Sequence, residues 1–322
     1  MSKWKIAAIV FAVVAVALSL LNASWLAPRP RGKLILVAHR GIGQSSDPDK
    51  PAADGCTARA IRAPEHNFIA NTLFSVQHAA RTGADAIALD VRPTSDGRMV
   101  VFQDETLDCR TDGKGPVRGR TLAELKKLDV GYGYTADGGR TFPLRGRGVG
   151  GMLAVEDVLQ RVASSELIFA FTGNDPREAD LLFAAFSRAG VKPDKRHAFY
   201  GDPRVVARMR ALAPESWTFS RPEAETCLHD YMLTGWSGIV PASCRNTTVA
   251  VPLNYQWAVW GWPNRFLDRM AGAGTKVIML GDYKDGAVAG IERPEQLGDV
   301  PRDFRGHLWV EDFDAVGRAL QR

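Results

Sequence analysis

The chain has 322 residues, 45% of them hydrophobic and 24% charged, with a formal net charge of +5 and a pI near 9.1. That length and apolar share suit one large α/β domain with a real core and exclude a disordered or low-complexity polypeptide. The positive excess is scattered, with no Lys/Arg block interleaved with aromatics. This argues against nucleic acid and leaves anionic headgroups or phosphate-bearing ligands as compatible partners.

In chain order, Lys3 and Lys5 come first, then an uncharged run from Ile6 to Leu21 bracketed by Trp4 and Trp25. This is the layout of a signal peptide or signal anchor within residues 1–27, and a helix from Trp4 to Leu26 holds roughly the 20 residues that span a bilayer. Leu21-Asn22-Ala23 and Trp25-Leu26-Ala27 each carry a large residue at the first place of a cleavage site. An uncleaved anchor is therefore favoured, with a cleaved signal as the alternative. Residues 28–33, rich in Pro and Gly, read as a short stiff linker.

From residue 34 to 322, short apolar runs alternate with helical patterns. Strands are expected at Leu34–Ala38, Ala86–Val91, Met99–Phe102, Leu167–Phe171, Ala198–Tyr200, Trp217–Phe219, Gly238–Val240, Val277–Leu280 and His307–Val310. Helices are expected at Asn71–Thr82, Val155–Ala163, Arg177–Ala189, Pro203–Leu212 and Asn264–Ala273. Such alternation implies parallel pairing with right-handed crossovers, and its many repeats point to an α/β fold, a (β/α)8 TIM barrel. A doubly wound open sheet is the alternative, but no G-x-G-x-x-G follows the first strand. Two turn-rich stretches interrupt the pattern: Ile42–Ile69, and an insertion of about residues 105–152 after the third strand. Insertions at that end of a barrel build the rim of a site.

The four cysteines, Cys56, Cys109, Cys227 and Cys244, follow an export-type segment, which fits two disulfides in an oxidising compartment. Nearness in sequence favours Cys227–Cys244, leaving Cys56–Cys109. Unpaired thiols are the alternative, and a zinc site lacks C-x-x-C spacing. The globular part is accordingly expected outside the cytoplasm, on the periplasmic side.

The most informative pattern is an ordered set of short motifs. His39-Arg40-Gly41 ends the first strand, Asn71-Thr72 follows, then Ala88-Leu89-Asp90, Gln103-Asp104 and Ala170-Phe171-Thr172. In order and spacing these resemble the glycerophosphodiester phosphodiesterase family, with its H-R-G, E-N-T, E-x-D, H-D and E-x-K motifs. The flanking Cys56-Thr57-Ala58, Pro64-Glu65-His66, Leu107–Gly113 and Leu128–Gly139 are similar to exported bacterial members. The resemblance implies a TIM barrel that hydrolyses phosphodiesters. In it a divalent cation on the E-x-D and E-x-K carboxylates sinks charge, two histidines do acid/base chemistry or attack, and the H-R-G arginine binds phosphate.

Here the family's acidic slots hold Ala70, Ala88 and Ala170, the second histidine slot holds Gln103 and the lysine slot holds Thr172. His39 and Arg40 remain as candidate catalytic residues, beside the substituted Gln103. Arg40, Asn71 and Asp104 are candidate substrate-binding residues, and Asp90 is a residual metal ligand, insufficient alone because Ca²⁺ and Mg²⁺ need several hard oxygens. Asn71 is also expected to cap the helix after it, and Asp104 the turn after it. Glu65 and His66 are candidate replacement ligands, and Trp257, Trp260 and Trp262 a candidate pocket floor. The expected function is a catalytically silent family barrel that still binds phosphate or a phosphodiester, such as a glycerophosphodiester or phospholipid headgroup. It would be tied to the membrane by the N-terminal helix and need no cofactor. The alternative is a working phosphodiesterase with a rewired site, releasing glycerol 3-phosphate and an alcohol, with Ca²⁺ or Mg²⁺ as its cation.

Overall fold

The computed structural model describes residues 2–47, 54–162, 165–284 and 286–320. Ala163 of the expected Val155–Ala163 helix, part of the Ile42–Ile69 stretch and both chain ends lie outside the described residues. The strands are β1 (Leu34–His39), β2 (Ala86–Pro93), β3 (Met99–Val101), β4 (Glu166–Phe171), β5 (His197–Gly201), β6 (Trp217–Ser220), β7 (Thr248–Pro252), β8 (Lys276–Leu280), the hairpin β9 (Tyr283–Lys284) and β10 (Ala287–Val288), and β11 (Gly306–Val310). The α-helices are α1 (Lys3–Leu21), α2 (Leu73–Arg81), α3 (Leu122–Leu125), α4 (Val155–Arg161), α5 (Arg177–Arg188), α6 (Pro203–Leu212), α7 (Arg221–Thr234), α8 (Asn264–Gly272) and α9 (Phe313–Leu320).

Eight strands form a nearly closed parallel barrel of the (β/α)8 type, in the order β6-β5-β4-β2-β1-β11-β8-β7. β2 is buried from Ala86 to Val91 and β4 from Leu167 to Phe171. Near-continuous burial marks parallel strands covered on both faces, which is why these segments read as unbroken apolar runs.

The structure corrects four expectations. Met99–Phe102 does yield β3, but β3 pairs antiparallel to the end of β2, with Val91 opposite Val101, and stands off the barrel order. The 105–152 insertion still follows it in the chain. Gly238–Val240 is not a strand: Gly238 has φ 82°, incompatible with extension, and the seventh barrel position is filled by β7. β7 carries the β-branched Thr248, Val249 and Val251, which fit a pleated surface. The apolar N-terminal helix stops at Leu21 instead of continuing to Leu26, and a separate 3-10 turn spans Ser24–Leu26. Asn71 does not cap α2, whose N-cap is Thr72.

The chain divides into two compact units. The larger comprises Leu36–Arg221, Gly290–Pro294 and Trp309–Arg322. Within it the insertion has a core of its own, where Leu107, Leu125, Val130, Tyr134 and Leu144 pack with Ile61 and Ile69. The Cys56–Cys109 disulfide fastens this core, and the Asp129 carboxylate accepts the Gly131, Gly146 and Gly148 N–H groups. A glycine-rich stretch thus becomes a fixed wall.

The smaller unit comprises Met1–Ile35, Pro222–Ala289 and Glu295–Leu308. Here β7 and β8 pair in register, Val249 opposite Val277, and the Cys227–Cys244 disulfide joins α7 to the turn before β7. Both expected cystine pairings are present. α1 is the one described helix long and apolar enough to cross a membrane, and none of it is buried.

Candidate functional site

The site is built at the C-terminal ends of β1, β2 and β11, all in the larger unit. β1 delivers His39, and the chain then turns sharply: Arg40 has φ 65° and Gly41 φ 76°. A Cβ on Gly41 would lie 2.6 Å from Ser75 Oγ and 2.9 Å from backbone atoms of α2, so this turn admits only glycine. Arg40 is held there from both sides. Its N–H donates to Ala88 O at 2.7 Å, and its carbonyl accepts from Asn71 N–H at 2.8 Å and Ser75 Oγ at 3.2 Å. The backbone itself fixes where the imidazole and guanidinium point.

The guanidinium reaches Asp90. Arg40 Nε donates to Asp90 Oδ2 at 2.5 Å, and Asn71 Nδ2 donates to the same oxygen at 3.3 Å. The Asp90 side chain is 6% exposed and Arg40 28%. Burial works against the Arg40 charge, but the neighbouring Asp90 and Glu311 carboxylates outweigh it and raise its pKa further above the usual value. Asn71, with φ 63°, spends its buried amide on Asp90 in place of the helix-capping role expected for it.

Around this pair the remaining slots are neutral. Strand alternation places Ala88, two residues before Asp90, on the same face of β2, and it is fully buried. Ala170 is the register partner of Asp90 across β2 and β4. Thr172 turns its hydroxyl onto Val91 O at 3.0 Å. Ala70 and Gln103 line the same cavity as His39 and Arg40, so these five motif positions do converge. Asp104 does not join them: it forms an ion pair with Arg110 Nε at 2.9 Å, and Arg110 in turn donates to Tyr134 Oη and Thr57 Oγ1. Glu65 and His66 are also used elsewhere, Glu65 facing Arg318 at 3.6 Å and His66 meeting Gln44 Nε2 at 3.1 Å. The three tryptophans belong to the smaller unit and line a different groove.

The divalent cation implied by the resemblance does not fit this donor set. Asp90 is the one carboxylate at those slots, and its Oδ2 already accepts from a guanidinium and an amide. A cation would have to displace Arg40, and Ala88 and Ala170 offer no further oxygens to replace its water shell. Among the described residues no three His, Cys, Asp or Glu side chains converge as a metal-binding group.

Sequence reasoning missed the partner of His39. His39 Nδ1 lies 2.7 Å from Glu311 Oε2, just past the end of β11. Burial alone would raise the Glu311 pKa, but attraction and hydrogen bonding from His39, with Arg40 adding to them, bring it down to about 2. A carboxylate so charged can only accept, so Nδ1–H is the donor and Nε2 is left as the reactive nitrogen. Trp309 packs on the ring at 5.4 Å between centroids, and Tyr200 meets Trp309 edge-on at 5.6 Å. Burial, then the Asp90 charge, pushes the Tyr200 phenol up, so it stays neutral.

The cavity in front of His39 holds about 140 Å³. Arg62, Glu292 and Asp312 also border it, none of them singled out in the sequence. Asp312 accepts from Ser45 Oγ in a short hydrogen bond. Glu292 is the unusual member: burial, then repulsion from Glu311, raises its pKa against the pull of Arg62. The signal for Glu311 was its position, since catalytic groups in a barrel follow strand C-terminal ends. The arrangement can bind an anion through Arg40 and Arg62 and hold one imidazole in a fixed tautomer.

Comparisons with known proteins agree with this geometry. Residues 62–199 match the family model for the glycerophosphoryl diester phosphodiesterase family. A glycerophosphodiester phosphodiesterase of Caldanaerobacter subterraneus is 47% identical over 75 residues, 23% of this chain and 31% of that protein. One from Bacillus altitudinis is 42% identical over 86 residues, 26% of this chain and 35% of that protein. The matched segments thus span about a third of these relatives' length. The crystal structure of a glycerophosphoryl diester phosphodiesterase domain from Mycobacterium tuberculosis superposes with a TM-score of 0.62 at 16% identity, covering 90% of this chain and 98% of that one. A glycerophosphodiester phosphodiesterase from Agrobacterium tumefaciens gives 0.58, also at 16% identity, covering 91% and 100%. The chain carries a domain of the glycerophosphoryl diester phosphodiesterase family.

Proposed function

We propose that this chain is a membrane-anchored phosphate- or phosphodiester-binding barrel that has lost the metal-dependent hydrolysis of its family. The observation carrying this reading is the engagement of Asp90 by Arg40 and Asn71 in a slot whose neighbours are Ala88, Ala170 and Thr172. One neutralised carboxylate leaves no charge sink for a developing phosphorane. Gln103, where a second proton-transfer group would stand, is an amide that holds no titratable proton. Losing one such group typically costs about 10²–10⁴ in rate, and losses within one machinery do not sum.

Binding needs less. Arg40 carries five N–H donors, of which Asp90 engages the Nε–H, and Arg62 adds a second guanidinium at the cavity. Planar guanidinium groups suit a phosphodiester's two free oxygens. The glycerophosphodiester headgroup is the ligand class the family relationship favours; the Oleispira antarctica phosphodiesterase of similar fold was crystallised with sn-glycerol-3-phosphate. The two disulfides and the exposed apolar α1 support an anchor with the globular part outside the cytoplasm.

A second reading has its own support. His39 held by Glu311 is a competent acid/base unit, and Glu292 has the raised pKa of a carboxylic acid that could protonate a leaving oxygen. In that case the protein is a metal-independent phosphodiesterase with Glu292 in the role of the absent second histidine. Release of glycerol 3-phosphate from glycerophosphocholine separates the two: the binding reading expects none above background, the second expects turnover that Glu292→Gln abolishes.

A further inference from the structure

The end of α1 is not a loose tether. Arg269 of α8 donates to Leu21 O at 3.1 Å, Asn22 Oδ1 at 3.0 Å, Tyr231 Oη at 2.8 Å and Gly235 O at 3.1 Å. A cation on the last carbonyls of a helix satisfies orphan acceptors and opposes the negative end of the dipole. Asn22 Nδ2 donates to Trp236 O at 2.8 Å, and Asn264 N–H donates to Ser24 Oγ at 2.9 Å. The chain just beyond the apolar helix is thus bolted to α7 and α8 of the same unit.

Around that bolt the smaller unit exposes large apolar side chains. Trp257 is 85% exposed and Trp25 76%, with Leu233, Trp236, Ile239 and Trp260 exposed beside them. They lie close together. Trp257 and Trp260 line one groove with Asn22, Ser24 and Met232, and Trp260 Nε1 donates to Met232 O. Ile239 adjoins Gly238, against which the Leu21 side chain packs. In water such a patch is a liability, and its aromatic character is the composition found where protein meets the headgroup layer. The exposed Arg29 and Arg31 follow directly in the chain and suit anionic lipid.

We propose that this collar of Trp25, Trp236, Ile239, Trp257 and Trp260 lies in the headgroup layer of the bilayer that α1 spans, holding the smaller unit on the membrane in one orientation. The proposal rests on the anchor reading given above and goes beyond it: a span alone requires only that α1 insert, whereas the collar requires residues more than 200 positions away to touch lipid, Trp257 among them. No covalent step is involved. Lipid is the occupant because the patch is continuous with a helix that has no buried residue and is long enough to cross a membrane.

The test uses the full chain reconstituted in vesicles of phosphatidylcholine and phosphatidylglycerol containing lipid brominated near the headgroup. The Trp257→Phe variant is compared with the native chain, so that the difference in emission reports Trp257. The expected result is blue-shifted Trp257 emission with a clear loss of intensity to the brominated lipid. Ile239→Glu should weaken that quenching while the protein still resists extraction by alkaline carbonate. Unquenched, water-like Trp257 emission in carbonate-resistant protein would overturn the collar and leave the anchor intact. Protein that washes off in carbonate would overturn both.

Discussion

Arg40 Nε sits 2.5 Å from Asp90 Oδ2, so a guanidinium occupies the carboxylate on which the family resemblance would place a cation. The pair explains how one acidic ligand survives among alanines: it now holds the phosphate-facing arginine in place. Removing one partner strands the other. Asp90→Ala leaves Arg40 partly buried without its counter-charge and should destabilise the larger unit by about 2–3 kcal/mol, discounted from the fully buried case for the exposure of Arg40. A urea titration followed by circular dichroism checks this, and an unchanged midpoint would show that the pair contributes nothing.

The same pair governs metal binding. Calorimetric titration of the native chain with Ca²⁺ or Mg²⁺ is expected to show no site tighter than roughly millimolar, because a lone neutralised carboxylate cannot replace the hydration shell. Ala88→Glu with Ala170→Glu puts two carboxylates beside Asp90, one on the same face of β2 and one at its register partner. That double variant should gain saturable binding. A micromolar site in the native chain would contradict the donor-set reading.

Acid should act through Glu311. Its pKa falls from 4.5 unfolded to about 2 folded, a depressed carboxyl, so its stabilising contribution is complete above pH 4.5 and is lost as pH drops towards 2. Glu292 has the opposite sign: its folded pKa is raised, so its protonated form favours the fold and ionisation on going to neutral pH costs stability. Glu311→Gln should therefore flatten the stability curve between pH 4.5 and 2, whereas Glu292→Gln should stabilise the protein at neutral pH relative to acid. Thermal melts across the acid range read both signs.

The disulfides should differ in weight. Cys56–Cys109 closes a separation of 53 residues and Cys227–Cys244 one of 17. In the chain-entropy account these contribute about 4 and about 3 kcal/mol respectively. Paired Cys→Ser variants measured by urea midpoint should fall in that order, with the first also loosening the wall formed by the insertion.

Much of this was legible in the sequence, and what was missed has physical causes. Buried parallel strands are unbroken apolar runs, so β1, β2, β4 and β8 stood out within a residue or two. β7 was misplaced because Gly238-Ile239-Val240 looks equally apolar, and φ at Gly238 is invisible without coordinates. α7 was overlooked although Ala224, Cys227, Leu228 and Tyr231 form a helical stripe, because that stripe is built from weakly hydrophobic types. His39, Arg40 and Asp90 were found because they sit in motifs. Glu311 and Glu292 were not, since their link to His39 is made by the barrel bringing the far end of the chain beside β1.

The central claim is that the mouth of this barrel binds but does not hydrolyse. The direct measurement is release of glycerol 3-phosphate from glycerophosphocholine and glycerophosphoethanolamine, with and without divalent cations. The native chain is compared with the variant carrying Ala70→Glu, Ala88→Glu, Gln103→His, Ala170→Glu and Thr172→Lys. The account expects cation-dependent turnover only in the restored variant. Turnover by the native chain that His39→Ala abolishes would contradict it.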